Sequence, residues 1–225
     1  MFNEAFAGTL PLQGTDIAAK WDSLYSFLFW LSVIFFVLIV GGMIAFALQW
    51  RHQADPTPKY ITENHKLEAV LVGVPTLLLS IIFLWGYKVY DSMVVPPTDA
   101  YQIRVIGKQW LWQFQYEDGR TFTNELYVPL NKPVKLLMTS DDVLHSFFIP
   151  NFRVKNDVVP GRYTSVWFEA KVPGAHQVFC AEYCGTSHSQ MLAQVYALDE
   201  NQWKSFMRGK KIPALPRAGE HRRRH

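Results

Sequence analysis

The stretch Trp110-Leu-Trp-Gln-Phe-Gln-Tyr116 decides the fold class of the larger part of this chain. Trp110, Trp112, Phe114 and Tyr116 recur at every second position, so an extended strand places all four aromatic side chains on one face. Glu117-Asp-Gly-Arg120 follows as a hairpin turn signal. On either side lie further short β-type segments at residues 101–106, 134–138, 146–149, 163–168, 177–179 and 191–198. Pro129, Pro133, Pro150, Pro160-Gly161 and Pro173-Gly174 punctuate them. Many short strands with regular turns predict a β-sandwich or barrel. Residues 201–208 read as a short closing helix.

Before this region the composition is different. Only 18% of the 225 residues are charged, against roughly 25% in a typical soluble domain, and the deficit lies mostly ahead of residue 91. Residues 24–50 and 69–87 carry no charge at all. Each run suits a bilayer, which takes roughly 20 apolar residues to cross. Gly73 and Pro75 in the second run are tolerated better in membrane helices than in soluble ones. Trp30, Trp50, Trp85, Tyr87 and Tyr90 suit interfacial or packing positions. The expected organisation is an N-terminal segment (1–23), a transmembrane helical hairpin (24–90), a β domain (91–200) and a basic C-terminal tail (201–225).

Charge sets the expected orientation. The connection between the two runs carries Arg51, Lys59 and Lys66, with His52 and His65, so the positive-inside rule makes it cytoplasmic. Both termini and the β domain are then expected on the outer side. The mixed first residues, with Glu4, Asp16, Lys20 and Asp22, do not read as a signal peptide. Acids outnumber basic residues between Asp91 and Glu200, whereas the tail is strongly basic. A mildly acidic outer domain suits a basic protein partner better than nucleic acid. The tail reads as solvated, or as a contact for anionic lipid or a neighbouring subunit.

The chemistry is concentrated in Cys180-Ala-Glu-Tyr-Cys184-Gly-Thr-Ser-His188-Ser-Gln-Met191, with His145 upstream in Asp-Val-Leu-His-Ser. Thiolate, imidazole and thioether are the ligands copper prefers, and a mononuclear electron-transfer copper takes two His, one Cys and a weak axial Met. This loop offers one thiolate more, and two thiolates can bridge two metal ions. The loop therefore reads as a binuclear copper site that moves single electrons. Gly185 lets the chain bend after the second sulfur. Three alternatives remain on the residues alone. Zinc accepts two Cys and two His but leaves Met191 without a purpose. A mononuclear copper leaves one Cys unused, and a local disulfide explains neither His nor Met. His52, His65, His176, His221 and His225 have no partner cluster and read as surface residues. There is no nucleotide-binding glycine loop and no Cys-x-x-Cys-His haem attachment site.

His145 with Cys180-x-Glu182-x-Cys184-x3-His188-x2-Met191 resembles the ligand set of subunit 2 of cytochrome c oxidase, the family with the CuA centre. Trp110-Leu-Trp, His145-Ser-Phe-Phe-Ile-Pro150 and Val159-Pro-Gly-Arg162 resemble that family too. The likeness covers nearly the whole chain and implies two transmembrane helices followed by an all-β cupredoxin-like Greek-key barrel. It implies that Cys180 and Cys184 bridge two coppers and that His145 and His188 each bind one. Met191 would be a weak ligand of one copper, and Glu182 would give its backbone carbonyl to the other. The Glu182 carboxylate would face a magnesium ion shared with subunit 1. Trp110 would be where electrons enter from cytochrome c, with Asp141, Asp142 and Glu182 attracting that partner. Glu68 would mark the mouth of a proton channel into subunit 1.

The resemblance further implies an oxidoreductase complex with subunits 1 and 3, in a bacterial plasma membrane, with oxygen reduction and proton pumping carried by subunit 1 and no haem on this chain. A copper subunit of another terminal reductase, of the nitric oxide type, and a structural subunit like that of the quinol oxidases are the alternatives. Read without the resemblance, Trp110 is a core strand residue, Asp141-Asp142 a turn, and Glu68 a helix N-terminal acid favoured by the dipole. Gln115 stands where many relatives carry an acid, which weakens part of the expected docking surface. No fused haem domain follows, so the expected donor is a separate cytochrome.

Overall fold

A computed structural model describes residues 10–51 and 63–219 of the chain. His52, Lys59, His221, His225 and the arginines at 222–224 lie outside the described residues. The two apolar runs form α1 (Asp16–Gln49) and α2 (His65–Val94). Both start earlier than the uncharged runs because each has its own cap. The Thr15 hydroxyl accepts the Ala18 N–H at 3.0 Å, and the Asn64 side chain accepts the Leu67 N–H at 3.1 Å. Pro75 lies inside α2 and removes one backbone donor. In that region the Thr76 hydroxyl bonds the Val72 carbonyl at 2.7 Å and Ser80 bonds Thr76 at 2.9 Å. Phe36, Leu38, Leu71, Leu79 and Phe83 are all exposed, as expected of helices that are apolar on every side and meet lipid rather than water. Phe27 and Trp85 bring the two helices together with ring centroids 5.3 Å apart.

The chain divides into two compact units: residues 22–88, and residues 10–21 with 89–219. The second holds ten strands: β1 (Tyr101–Lys108), β2 (Leu111–Gln115), β3 (Thr121–Thr123), β4 (Glu125–Pro129), β5 (Pro133–Ser140), β6 (His145–Ile149), β7 (Val154–Val158), β8 (Thr164–Glu169), β9 (Gly174–Cys180) and β10 (Leu192–Leu198). They form two five-stranded sheets, in the orders β3-β2-β1-β5-β8 and β4-β10-β9-β6-β7. Pairing is antiparallel except for β1 with β5 and β4 with β10. Val134, Leu136 and Met138 of β5 alternate into the core, and so do Ile103 and Val105 of β1. Trp112 and Phe114 from one sheet meet Phe147 of the other edge to face, at 5.0 and 6.2 Å. The fold is thus a β-sandwich behind two long apolar helices.

The chain crosses from the first sheet to the second at Asn124. Its backbone is left-handed, with φ 59°, a conformation asparagine tolerates better than most residues. Its side-chain oxygen accepts the Trp112 N–H at 2.8 Å, and its carbonyl accepts the Gln194 N–H at 2.9 Å. Helix α3 (Glu200–Met207) opens with a capping box between Asp199 and Gln202. It buries Phe206 against Tyr127, with Arg120 stacked over the same ring at 4.4 Å. Beyond α3, Ala218 N–H donates to the Ala175 carbonyl at 3.0 Å, and Ala175 N–H to Pro216 at 2.9 Å. The segment ahead of α1 is held in the same way. Gly14 N–H bonds Asn151 at 2.7 Å, Lys171 N–H bonds the Gly14 carbonyl at 2.8 Å, and the Thr15 hydroxyl bonds Phe152 at 3.2 Å.

Two sequence readings need correction. Trp110 does not share a face with the other three aromatics. It sits in the turn between β1 and β2 and is 36% exposed, while Trp112, Phe114 and Tyr116 are buried. His176 is not a surface residue: it lies on the inward face of β9, fully buried, bonded to Asn151 at 3.0 Å and to the Val172 carbonyl at 2.9 Å. Burial pushes its pKa down, so it packs as a neutral ring. β3, β4 and β7 went unread. β3 has only three residues, and β7 reads Val-Lys-Asn-Asp-Val because it is an edge strand with a wet face.

Replacing Asn124 by Ala removes the acceptor for the Trp112 N–H and places a disfavoured residue at a left-handed position. The expected loss is about 1–3 kcal/mol, read from denaturant unfolding of the full chain in detergent. An unchanged midpoint would show that the crossover does not depend on this side chain.

Candidate metal centre

The two ends of the candidate site are built differently. His145 is the first residue of β6, fully buried, and its ring lies 5.9 Å from the Trp112 ring, at the end of the core. Gly107 of β1 makes room for it, since a Cβ there would stand 3.0 Å from His145 Cδ2 and 3.2 Å from Trp112 Cζ3. A glycine inside a strand often marks such a close approach. Cys180 ends β9, and Cys184, His188 and Met191 follow on the loop before β10. Gly185 turns this loop with φ +119°. Cys180, Cys184 and Met191 are buried.

The donor atoms converge on the sulfur pair. Cys180 Sγ and Cys184 Sγ lie 3.7 Å apart as free thiols, not as a disulfide. Cys180 Sγ is 3.8 Å from His145 Nδ1 and 3.3 Å from the Glu182 carbonyl oxygen. Cys184 Sγ is 3.6 Å from His188 Nδ1 and 3.7 Å from Met191 Sδ. His145, Cys180 and Cys184 form a mutual cluster within 4.8 Å. All six expected ligands therefore meet around two sulfurs, with an imidazole beside each. The donor set of two thiols, two imidazoles, a thioether and a carbonyl fits soft copper, and the buried Met191 has a place that a zinc site would not give it.

The supporting contacts fit a metal as well. His145 Nε2 is 2.8 Å from Asp142 Oδ1, which leaves Nδ1 to face the sulfurs. A carboxylate on the far nitrogen is the usual way a ligating imidazole is oriented. Asp142 also accepts the Gln109 N–H at 2.7 Å and the Val143 N–H at 2.6 Å. Although burial opposes it, these donors and His145 hold the Asp142 carboxyl below its ordinary pKa. Burial likewise opposes protonation of His145, but Cys180 and Asp142 raise its pKa. Cys180 is pulled down to about 6 against its own burial, chiefly by His145 and the Ser146 N–H. Cys184 is pushed up to about 12 by burial and by the neighbouring Cys180 charge.

The other expected residues are dispersed. Trp110 packs on the ligand loop: a Cβ at Gly185 would be 3.2 Å from Trp110 Cζ2. Asp141 is paired with Lys108 at 2.7 Å, and Asp142 is turned inward to His145, so neither offers an unopposed charge. Glu182 is exposed beside the site. Glu68 lies in the first turn of α2, in the other compact unit, 3.2 Å from the exposed His65. Sequence reading missed Gly107 and Gln109. The glycine inside a strand pattern was a usable signal, whereas nothing in the sequence marks Gln109.

The family described as "Cytochrome C oxidase subunit II, periplasmic domain" matches residues 120–198. The "Alternative cytochrome c oxidase subunit 2" of Bradyrhizobium diazoefficiens is 31% identical over 240 residues, covering 89% of this chain and 85% of that protein. The cytochrome c oxidase subunit 2 of Synechocystis sp. is 26% identical, covering 89% of this chain and 75% of that protein. Among solved structures, the periplasmic domain of subunit II of cytochrome oxidase of Bradyrhizobium japonicum is 30% identical and matches with a TM-score of 0.49. That match covers 51% of this chain and 96% of the other.

Two outcomes follow from the donor geometry. Because Cys184 is protonated near neutrality, copper must displace its proton, so apparent copper affinity should strengthen as pH rises from about 6 to 9. Competition titrations across that range, with proton release followed in parallel, measure this; a flat profile would contradict it. Gly107→Ala should push the His145 ring off its position and reduce bound copper, measured as metal per chain, while a cooperative denaturant unfolding transition reports an intact core.

Proposed function

The chain belongs to the cytochrome c oxidase subunit II family, and on that premise we propose that it is the subunit through which electrons from cytochrome c reach the oxygen-reducing subunit 1. The observation that carries this reading is the convergence of Cys180, Cys184, His145, His188, Met191 and the Glu182 carbonyl on one buried sulfur pair. Copper held by these donors would supply reversible one-electron storage. The remaining roles belong to the protein. Cys180 and Cys184 would hold it as thiolates. Asp142 fixes the imidazole of His145 with Nδ1 toward the sulfurs. The β-sandwich holds β6 and β9 in antiparallel register at Phe147 and Cys180, so His145 and Cys180 cannot drift apart. A rigid ligand frame keeps reorganisation small when charge is added, and that speeds electron transfer.

Trp110 is the point where electrons enter in this reading. About a third of its surface meets solvent, and its indole packs against the loop at Gly185. Tyr183, Val143 and Leu144, each next to or near a ligand in the sequence, are exposed as well. Together these residues offer cytochrome c an apolar landing area beside the ligands. Charge attraction is modest, because Lys108 offsets Asp141 and His145 engages Asp142. Glu182, like Asp141 and Asp142, is an exposed acid at the site. Its carboxylate is assigned to a magnesium ion at the boundary with subunit 1, and Glu68 to the mouth of a proton path in that subunit.

As a member of this family the chain is a membrane-anchored protein with a periplasmic domain, and its two apolar helices provide the anchor. The reading places both termini on the outer side of a bacterial plasma membrane and the connection after Arg51 on the cytoplasmic side. Subunit 3 completes the expected core complex. A structural subunit like that of the quinol oxidases would have no use for six converging ligands.

The test is electron paramagnetic resonance on the purified complex. One unpaired electron shared by two coppers gives more hyperfine lines than one copper nucleus can, and that pattern is expected, together with rapid reduction by ferrocytochrome c. A single-copper pattern, or full copper loading without reduction by cytochrome c, would sink the proposal.

A further inference from the structure

The turn between β1 and β2 does more than carry Trp110. Its first residue, Gln109, makes two hydrogen bonds to opposite sides of the site. The Gln109 backbone N–H donates to Asp142 Oδ2 at 2.7 Å, and Asp142 Oδ1 holds His145 Nε2 at 2.8 Å. The Gln109 side chain donates from Nε2 to the carbonyl of Cys184 at 2.8 Å. The carbonyl it reaches belongs to one of the two sulfur-bearing residues. On the far side of that peptide, Gly185 has no side chain, and a Cβ there would lie 2.9 Å from Gln109 Nε2 and 3.2 Å from Trp110 Cζ2. Residues 109 and 110 thus clasp the Cys184–Gly185 peptide between an amide and an indole.

We infer that Gln109 is a positioning residue for electron arrival: its side-chain amide fastens the Trp110 turn to the Cys184 peptide, and so fixes the contact across which the electron passes. The inference rests on the proposed function and goes beyond it in assigning a role to a residue that binds neither metal nor partner. The route has few gaps. From Trp110 it runs along one peptide to Gln109, across one hydrogen bond to the Cys184 carbonyl, and through Cα and Cβ to the sulfur. Electron transfer weakens steeply with each through-space gap, so a 2.8 Å hydrogen bond at this place outweighs a van der Waals contact that can open. The two-residue turn is exposed to solvent; the pairing of Lys108 with Leu111 closes its base, and the amide is the side-chain bond that ties it to the ligand loop. The amide itself is bonded into the ligand loop. Its loss should therefore alter delivery of the electron rather than docking.

Gln109→Met keeps the length of the side chain and removes the donor. The experiment uses the whole purified complex with cytochrome c as reductant. Metal content and the hyperfine pattern are recorded first on the unsubstituted complex; if that lacks the two-copper pattern, the underlying functional reading fails, independently of Gln109. In the variant, the expected result is an unchanged hyperfine pattern and an unchanged KM for cytochrome c. The rate at saturating cytochrome c should fall severalfold, through weaker coupling across the opened gap. Gln109→Asn, which keeps the amide but is one methylene too short to reach, should show the same split and covers the case in which the methionine variant does not assemble. A raised KM with an unchanged saturated rate would make Gln109 a docking residue and overturn the inference. Loss of the two-copper signal would make it a support of the ligand loop instead, and unchanged kinetics in both variants would leave it with no role.

Discussion

Two sulfur atoms 3.7 Å apart in a buried pocket cannot both be charged unless something positive lies between them. Like charges at about 4 Å repel by about 4 kcal/mol even at an effective dielectric of 20. The surroundings of the pair follow the same rule, drawing Cys180 toward ionisation and pushing Cys184 away from it. Much of the outer domain bears on holding this pair together. β6 and β9 are neighbours in one sheet, so one imidazole and one thiol come from regular structure. The second thiol, the second imidazole and the thioether come from a single loop whose exit is fastened by β10, which runs antiparallel to β9.

The hydrophobic core and the site form one continuous packing. Trp112 touches Phe147 at its edge and His145 beyond it. The aromatic layer that joins the sheets therefore also backs a metal ligand. The other face of the site is polar and is held by hydrogen bonds, through Asp142 and Gln109. A ligand pressed by packing on one side and oriented by a carboxylate on the other has little freedom. That restraint suits the proposed role, in which the centre changes charge without changing shape.

Much of this was legible in the sequence, for identifiable reasons. Uncharged runs announce α1 and α2 because lipid forbids charge along a span. The candidate ligand loop is legible because its two thiols, imidazole and thioether are chemically unusual together and lie close in the chain. The turn at Trp110 was not legible, since an aromatic at every second position reads as one unbroken strand. His176 looked like a surface residue because a lone histidine carries no mark of its two buried partners, Asn151 and Val172. Asp142 read as a docking charge, while its geometry ties it to His145, three residues away. Asn124 and Gln109 carry weight only through partners 12 and 75 residues distant in the chain, and such pairings do not show in local pattern.

The segment ahead of α1 has a consequence for how the protein is made. Gly14 and Thr15 bond to Asn151, Phe152 and Lys171, so the sandwich is closed by chain synthesised more than 130 residues earlier. Chain on both sides of the two helices therefore has to be present before the sandwich closes. Gly14 and Thr15 thus make the start of α1 part of the same folding unit as the strands it precedes.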